Sequence, residues 1–185
     1  MSYSAAVLAG GKSRRFGQDK ARFVWRGRKL MEWGLEALSG ASERFIVANR
    51  PYPEFDVPVY ADRIPGGDSL SGLHSALSHA RNDWVAVAAC DLPFLTQGYW
   101  GFLWERVGAH QAVAGVGPSG FPEPLAAFYH RSLLPELEAR LERGNLKLQS
   151  VLESASTIYL PWSELEPRFG PHLYTNVNTP GDLRQ

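Results

Sequence analysis

Two short runs, residues 3–8 (YSAAVL) and residues 84–89 (WVAVAA), are apolar at nearly every position, and each stops abruptly, at Gly10 and Gly11 or at Asp91 and Pro93. A strand with one wet face alternates apolar and polar residues. A run without alternation is buried on both faces, which is the situation of a parallel strand covered by helices on each side. Residues 45–48, 57–60, 113–116 and 125–129 read as further strands. Between these runs lie helical spacings: Leu30, Trp33, Ala37 and Leu38 before the stop at Gly40, then Leu70, Leu73, Leu77 and Ala80. Thr96 can cap a helix carrying Trp100, Leu103, Trp104 and Val107, and residues 133–141 and 146–152 also read as helical. The stretch around Tyr159 reads as a proline-rich loop leading to the terminal NVNTPGDL. Strands alternating with helices are the pattern of repeated βαβ units, so the chain is expected to be an α/β fold with a mainly parallel central sheet.

A chain of 185 residues is long enough for one continuous core and too short for two substantial ones, so residues 1–185 are read as a single domain. Neither an internal repeat nor a low-complexity linker divides it. Lys plus Arg equals Asp plus Glu at 19 each, so there is no global basic field to attract nucleic acid or an anionic membrane. Any positive charge that matters is local. With Cys90 the only cysteine, an internal disulfide and a cysteine zinc site are both excluded. The N-terminus shows no basic region followed by a long apolar run, and no stretch reaches the ~18 apolar residues of a membrane span. The cytoplasm is the compartment these features predict.

Residues 8–21 (LAGGKSRRFGQDKA) place Gly10 and Gly11 directly after the first strand and follow them with Lys12, Arg14, Arg15 and Lys20. Glycines let backbone N–H groups approach a phosphate closely, and the cations offset its charge. A βα turn with a solvated basic face has the same composition. A P-loop needs a glycine where Ala6 stands, and Gly10, Gly11 and Gly17 do not spell the dinucleotide pattern G-x-G-x-x-G. Kinase and dehydrogenase chemistry are therefore disfavoured. In residues 89–94 (ACDLPF), Asp91 stands at the carboxyl end of the best strand, where open α/β sheets bind ligands. It can hold Mg²⁺ together with substrate phosphates, or simply cap the turn before Pro93. Asp62, after the run at 57–60, can meet base, ribose or metal, or open the loop containing Gly66 and Gly67. In NVNTPGDL, Thr179, Pro180 and Asp182 form a local helix start that leaves Asn176 and Asn178 to orient a substrate or the adjacent carboxylate.

In this order and spacing, LAGGKSRRFGQDKA, ACDLPF and NVNTPGDL make the chain similar to the molybdenum cofactor guanylyltransferase (MobA) family over nearly its whole length. The resemblance implies a three-layer Rossmann-like nucleotidyltransferase fold, its N-terminal part holding the nucleotide and its C-terminal part lying toward the pterin. It implies transfer of GMP from GTP to molybdopterin, giving molybdopterin guanine dinucleotide and pyrophosphate. Leu8, Ala9, Gly10 and Gly11 would then contact the guanine nucleotide, Lys20 its phosphates, and Asp62 would belong to the same site. Asp91 would bind both nucleotide and Mg²⁺, with Asn178 beside it. Lys20, Arg15 and Arg14 would stabilise charge on the leaving pyrophosphate. Partner proteins in cofactor synthesis or molybdoenzyme maturation are a further expectation.

Two departures from the family pattern stand out. Residues 68–73 (DSLSGL) keep Leu70, Gly72 and Leu73 of a Gly-Pro-Leu-x-Gly-Leu stretch but lack its proline. Val47 stands where some relatives have a nucleotide-binding asparagine, with Asn49 two residues on. A cytidylyltransferase acting on molybdopterin or on a sugar or polyol phosphate is the alternative; the Gly10-Gly11 pair favours guanine, since cytidine-using relatives more often show Ala-Gly. A catalytically silent nucleotide sensor is a second alternative, disfavoured by the presence of Lys20 and Asp91.

The remaining candidates read as structural. His74, His79, His110, His130 and His172 lack metal-ligand spacing. Cys90 reads as a small buried residue, and Trp84, Trp100 and Trp104 as core or interface aromatics. Pro122, Glu123 and Pro124 border the second substrate or form a turn.

Overall fold

The structure is a computed structural model that describes residues 2–10, 19–177 and 179–183. β1 (Ser4–Leu8) is buried at every position, as its lack of alternation requires. Ala5 and Val7 face a core cluster with Met31, Leu35, Tyr99 and Trp100, while Ala6 and Leu8 face another with Leu70, Leu73, Leu77 and Leu137. The strand therefore needs helices on both sides. α1 (Leu30–Ala37), α3 (Gln97–Trp104) and α6 (Trp162–Phe169) cover the first face. α2 (Ser69–His79), α4 (Leu134–Arg143) and α5 (Leu148–Ser154) cover the second, which completes three layers. Each fully buried Leu or aromatic side chain on these faces contributes about 1.5–3 kcal/mol relative to exposure.

Besides β1, the sheet contains β4 (Glu43–Val47), β5 (Val59–Tyr60), β6 (Trp84–Ala89), β7 (Ala112–Val116), β8 (Pro122–His130) and β9 (Thr157–Leu160). Among the described residues the order is β5-β4-β1-β6-β8-β7-β9. β1 pairs in parallel with both β4 and β6, β4 with β5, and β7 with β9; β8 runs antiparallel to β6 and β7. The sheet is mainly parallel, as expected. The chain leaves β1 toward β4 and later returns to its other side as β6, so the topology reverses at β1. Such reversals open a crevice beyond the carboxyl ends of the strands.

Several elements differ from the sequence reading. The run at 57–60 shortens to Val59–Tyr60 because Pro58 has no N–H to give; its carbonyl accepts from the Ile46 N–H at 2.9 Å instead. The region around Tyr159 is β9 followed by α6 rather than a loop. Pro161 sits just before the helix, where a missing N–H is harmless, and Pro167 lies near its end, while Leu165 is fully buried. A small hairpin, β2 (Val24–Trp25) with β3 (Arg28–Lys29), turns through Arg26 and Gly27, both at positive φ (48° and 78°). The terminal helix signal yields one 3₁₀ turn, Pro180–Leu183, in which the Thr179 N–H donates to the Asp182 carboxylate at 2.8 Å. Residues 122–124 open β8 instead of forming a turn. Thr96 caps α3, accepting from the Tyr99 N–H at 3.2 Å, and Trp84 and Trp100 are core residues. Among the described residues no helix is long and apolar enough to cross a membrane.

Candidate active site

Register brings three strand tips to one level: Leu8 stands opposite Val47 on one side and Ala89 on the other. The Ala9 N–H donates to the Val47 carbonyl at 3.0 Å and the Cys90 N–H to the Leu8 carbonyl at 3.2 Å, so the chain stays clamped as it leaves the sheet. Beyond these tips lies a cavity of about 490 Å³ whose walls include Leu8, Ala9, Gly10, Lys20, Asp62 and Asp91. Sequence reasoning had singled out each of these six. The first turn of α2 adds Ser69 and Gly72 to the wall. The start of α2 turns its positive dipole end toward the cavity, while its Leu70 and Gly72 N–H groups donate to the Gly67 and Asp68 carbonyls at 3.0 and 3.2 Å. α2 can come this close because position 72 has no side chain: a Cβ there would lie 3.0 Å from Leu8 Cδ1.

Lys20 and Asp91 meet across the cavity, Nζ to Oδ2 at 3.4 Å, each side chain about a fifth exposed (19% and 22%). The Asp91 carbonyl accepts from the Val177 N–H at 2.9 Å, which ties the turn after β6 to the C-terminal segment. Beside that junction Trp25 meets Phe94 edge-on and His172 lies tilted against Phe94. On the far side, Asn49 and Asp62 bind each other twice: the Asn49 amide donates to Asp62 Oδ2 at 2.8 Å and its oxygen accepts from the Asp62 N–H at 2.9 Å. Asn49 therefore acts on the site through Asp62 and lies outside the cavity wall. Asn176 is exposed and outside that wall, one residue before the Val177 N–H that binds the Asp91 carbonyl. Gly11, Arg14, Arg15 and Asn178 lie outside the described residues.

Burial, reinforced by the charge of Asp91, pushes the Cys90 thiol up to about 12, so it is a protonated wall atom rather than a nucleophile. Burial, again with Asp91 adding to it, also raises the Glu123 carboxyl, which accepts from the Leu125 N–H at 3.2 Å. Asp19 and Asp68 line the cavity as well. Sequence reasoning passed over both, and the signal for Asp19 was its place beside Lys20. Asp68 has φ 50° and ψ −126°, a conformation that suits glycine, and it stands where the resembling family carries glycine.

This chemistry is that of a polyanion site: backbone N–H groups, a lysine, and carboxylates at strand ends. Among the described residues no cluster of three or more His, Cys, Asp or Glu side chains could enclose a metal by itself. Asp91 alone, with substrate phosphates and water supplying the other oxygens, fits the way Mg²⁺ is usually held in phosphoryl-transfer sites.

Comparison with known proteins identifies the family. The MobA-like NTP transferase domain matches residues 5–158. The chain belongs to the MobA-like NTP transferase family. A Deinococcus radiodurans protein named probable molybdenum cofactor guanylyltransferase is 36% identical over 187 residues, covering 98% of this chain and 92% of that one. One of the same name from Pyrococcus furiosus is 34% identical, covering 97% and 94%. The crystal structure of molybdopterin-guanine dinucleotide biosynthesis protein A from Archaeoglobus fulgidus superposes with a TM-score of 0.82 at 31% identity, covering 97% of this chain and 94% of that one. These MobA-like relatives extend over both walls of the cavity, the Asp62 side and the Asp91 side, as well as the C-terminal segment that buttresses Asp91.

Proposed function

We propose that this MobA-like transferase moves GMP from GTP to the terminal phosphate of molybdopterin, giving molybdopterin guanine dinucleotide and pyrophosphate. The observation that carries the reading is the meeting of Lys20 and Asp91 at 3.4 Å in a cavity that Gly10 helps to wall, with relatives named guanylyltransferases on either side of a third identity. The acceptor phosphate attacks the α-phosphorus of GTP, and the bond to the β-phosphate oxygen breaks. A phosphate dianion needs little deprotonation at neutral pH, so the protein supplies position and charge rather than a base. Lys20 neutralises negative charge growing on the departing pyrophosphate, a task shared with Arg14 and Arg15. Asp62, held by Asn49, borders the nucleoside, while Leu8, Ala9 and Gly10 present backbone to it and Gly11 is a further nucleotide contact. Asp91 would hold Mg²⁺, which when bound offsets phosphate charge. No histidine or cysteine nucleophile is required, consistent with a Cys90 thiol held near 12.

The test is pyrophosphate release with molybdopterin and each nucleoside triphosphate in turn, with and without Mg²⁺. GTP with Mg²⁺ is expected to be the productive combination, and preference for CTP would refute the guanine assignment. Asp91→Ala is expected to abolish Mg²⁺-dependent turnover in a folded protein; near-normal activity would refute its role. Lys20→Met is expected to lower kcat by about 10²–10³, the usual effect of losing one charge-stabilising donor.

A further inference from the structure

Lys20 approaches the cavity on a long, flexible stem, and four methylenes left to themselves sample many rotamers. Its backbone is nevertheless fixed. Lys20–Arg22 is a single 3₁₀ turn capped by Asp19, whose carboxylate accepts from the Ala21 N–H at 3.1 Å. That carboxylate is in turn anchored from 33 residues away: the Tyr52 hydroxyl donates to it, 3.0 and 2.9 Å from its two oxygens. Tyr52 is 1% exposed and belongs to the main core cluster, so the anchor is set in the core rather than in solvent. Arg22 closes the assembly. Its guanidinium lies over the Tyr52 ring at 4.7 Å, reaches Asp19 at 3.3 Å, and donates to the Pro51 carbonyl at 3.0 Å. Glu54 holds Arg22 from the other side at 2.5 Å, and Arg50 lies 3.5 Å from Asp19. The loop between β4 and β5 thus grips the residue immediately before Lys20.

We infer that Asp19 and Tyr52 are positioning residues for Lys20: the buried hydroxyl fixes the carboxylate, the carboxylate fixes the turn, and the turn aims the ammonium at the phosphates of the bound nucleotide. The inference rests on the proposed nucleotide-transfer reading of the cavity. Tyr52 need not touch the nucleotide, since its hydroxyl is committed to Asp19. A displacement of about 1 Å in a charge-stabilising group is enough to cost up to ~10² in rate.

The test is a double-mutant cycle on GTP binding, followed by calorimetry in the presence of Mg²⁺, with Tyr52→Phe made in the natural protein and in Lys20→Met. Tyr52→Phe is expected to weaken binding roughly five- to tenfold when Lys20 is present and by less than about twofold when it is absent, because a residue acting through another has no effect once that other is gone. A purely structural role would give the same factor in both backgrounds, and that result overturns the inference, as does unchanged binding in the single mutant. Asp19→Ser provides a second cycle should Tyr52→Phe fail to fold. Serine still caps the turn but is too short to reach the hydroxyl, and Asp19→Asn, which also lacks the charge but keeps the length, serves as its reference in both backgrounds. If the natural protein binds no GTP, the nucleotide reading fails and takes this inference with it. If it binds GTP and the cycle is additive, only this inference fails.

Discussion

Replacing Gly115 by alanine tests how the sheet beside Asp91 is braced. Gly115 is a buried residue of β7, and a Cβ there would lie 1.9 Å from Tyr174 Oη, 3.1 Å from its Cζ and 2.7 Å from Leu165 Cδ1. The methyl group would have to push the ring away by more than an ångström. Tyr174 now sits 2.8 Å from Tyr99 Oη; since Tyr99 donates its own proton to the Ala126 carbonyl, Tyr174 is the donor between the two. Moving the ring severs that bond, a loss of about 1 kcal/mol, while overpacking adds ~1–3 kcal/mol. A total of about 3 kcal/mol corresponds to a fall in Tm of roughly 8 °C for a domain of this size. Thermal and urea denaturation of Gly115→Ala, Tyr174→Phe and the double mutant would measure it. Removing Oη relieves the worst contact, so the double mutant should be more stable than Gly115→Ala alone by at least about 1 kcal/mol. A Gly115→Ala protein melting within about 2 °C of the natural one, or strict additivity in the double mutant, would refute the argument.

Other consequences are equally direct. Asp68→Gly should stabilise the protein by about 1 kcal/mol, because glycine accepts φ 50° without strain; a lower urea midpoint would contradict this. With its thiol held near 12, Cys90 should react with iodoacetamide at pH 8 about 10³ times more slowly than a free cysteine. Its reactivity should rise as pH climbs toward that value, because the thiolate is the reacting form. Labelling of the native protein at the rate of the urea-unfolded one would overturn the burial argument.

The sheet was legible where burial on both faces leaves a mark in composition, as in β1 and β6, and Asp91 was legible because a strand end is where such sheets bind. β9 and α6 were not, since prolines at 161 and 167 read as loop, whereas Pro161 precedes the first turn and the burial of Leu165 holds α6 despite Pro167 inside it. The hairpin at Arg26 and Gly27 escaped because arginine at positive φ is an uncommon turn former. In the site, Lys20 could be read from its neighbours, but its support could not: nothing in a linear sequence joins Asp19 to a tyrosine 33 residues on. The Asn49 and Asp62 pair was likewise seen as two separate candidates, although they form one reciprocal unit.

The reversal of the chain at β1 has a consequence for how such a protein can diversify. One side of the cavity includes Val47 and Asp62, the other Ala89, Cys90 and Asp91, and the tip of β1, the turn at Lys20 and the first turn of α2 join them. Because residues 50–54 also hold the turn that carries Lys20, grafting residues 43–62 from a relative is expected to disturb the Lys20–Asp91 contact together with the Asp62 wall unless Tyr52 is retained.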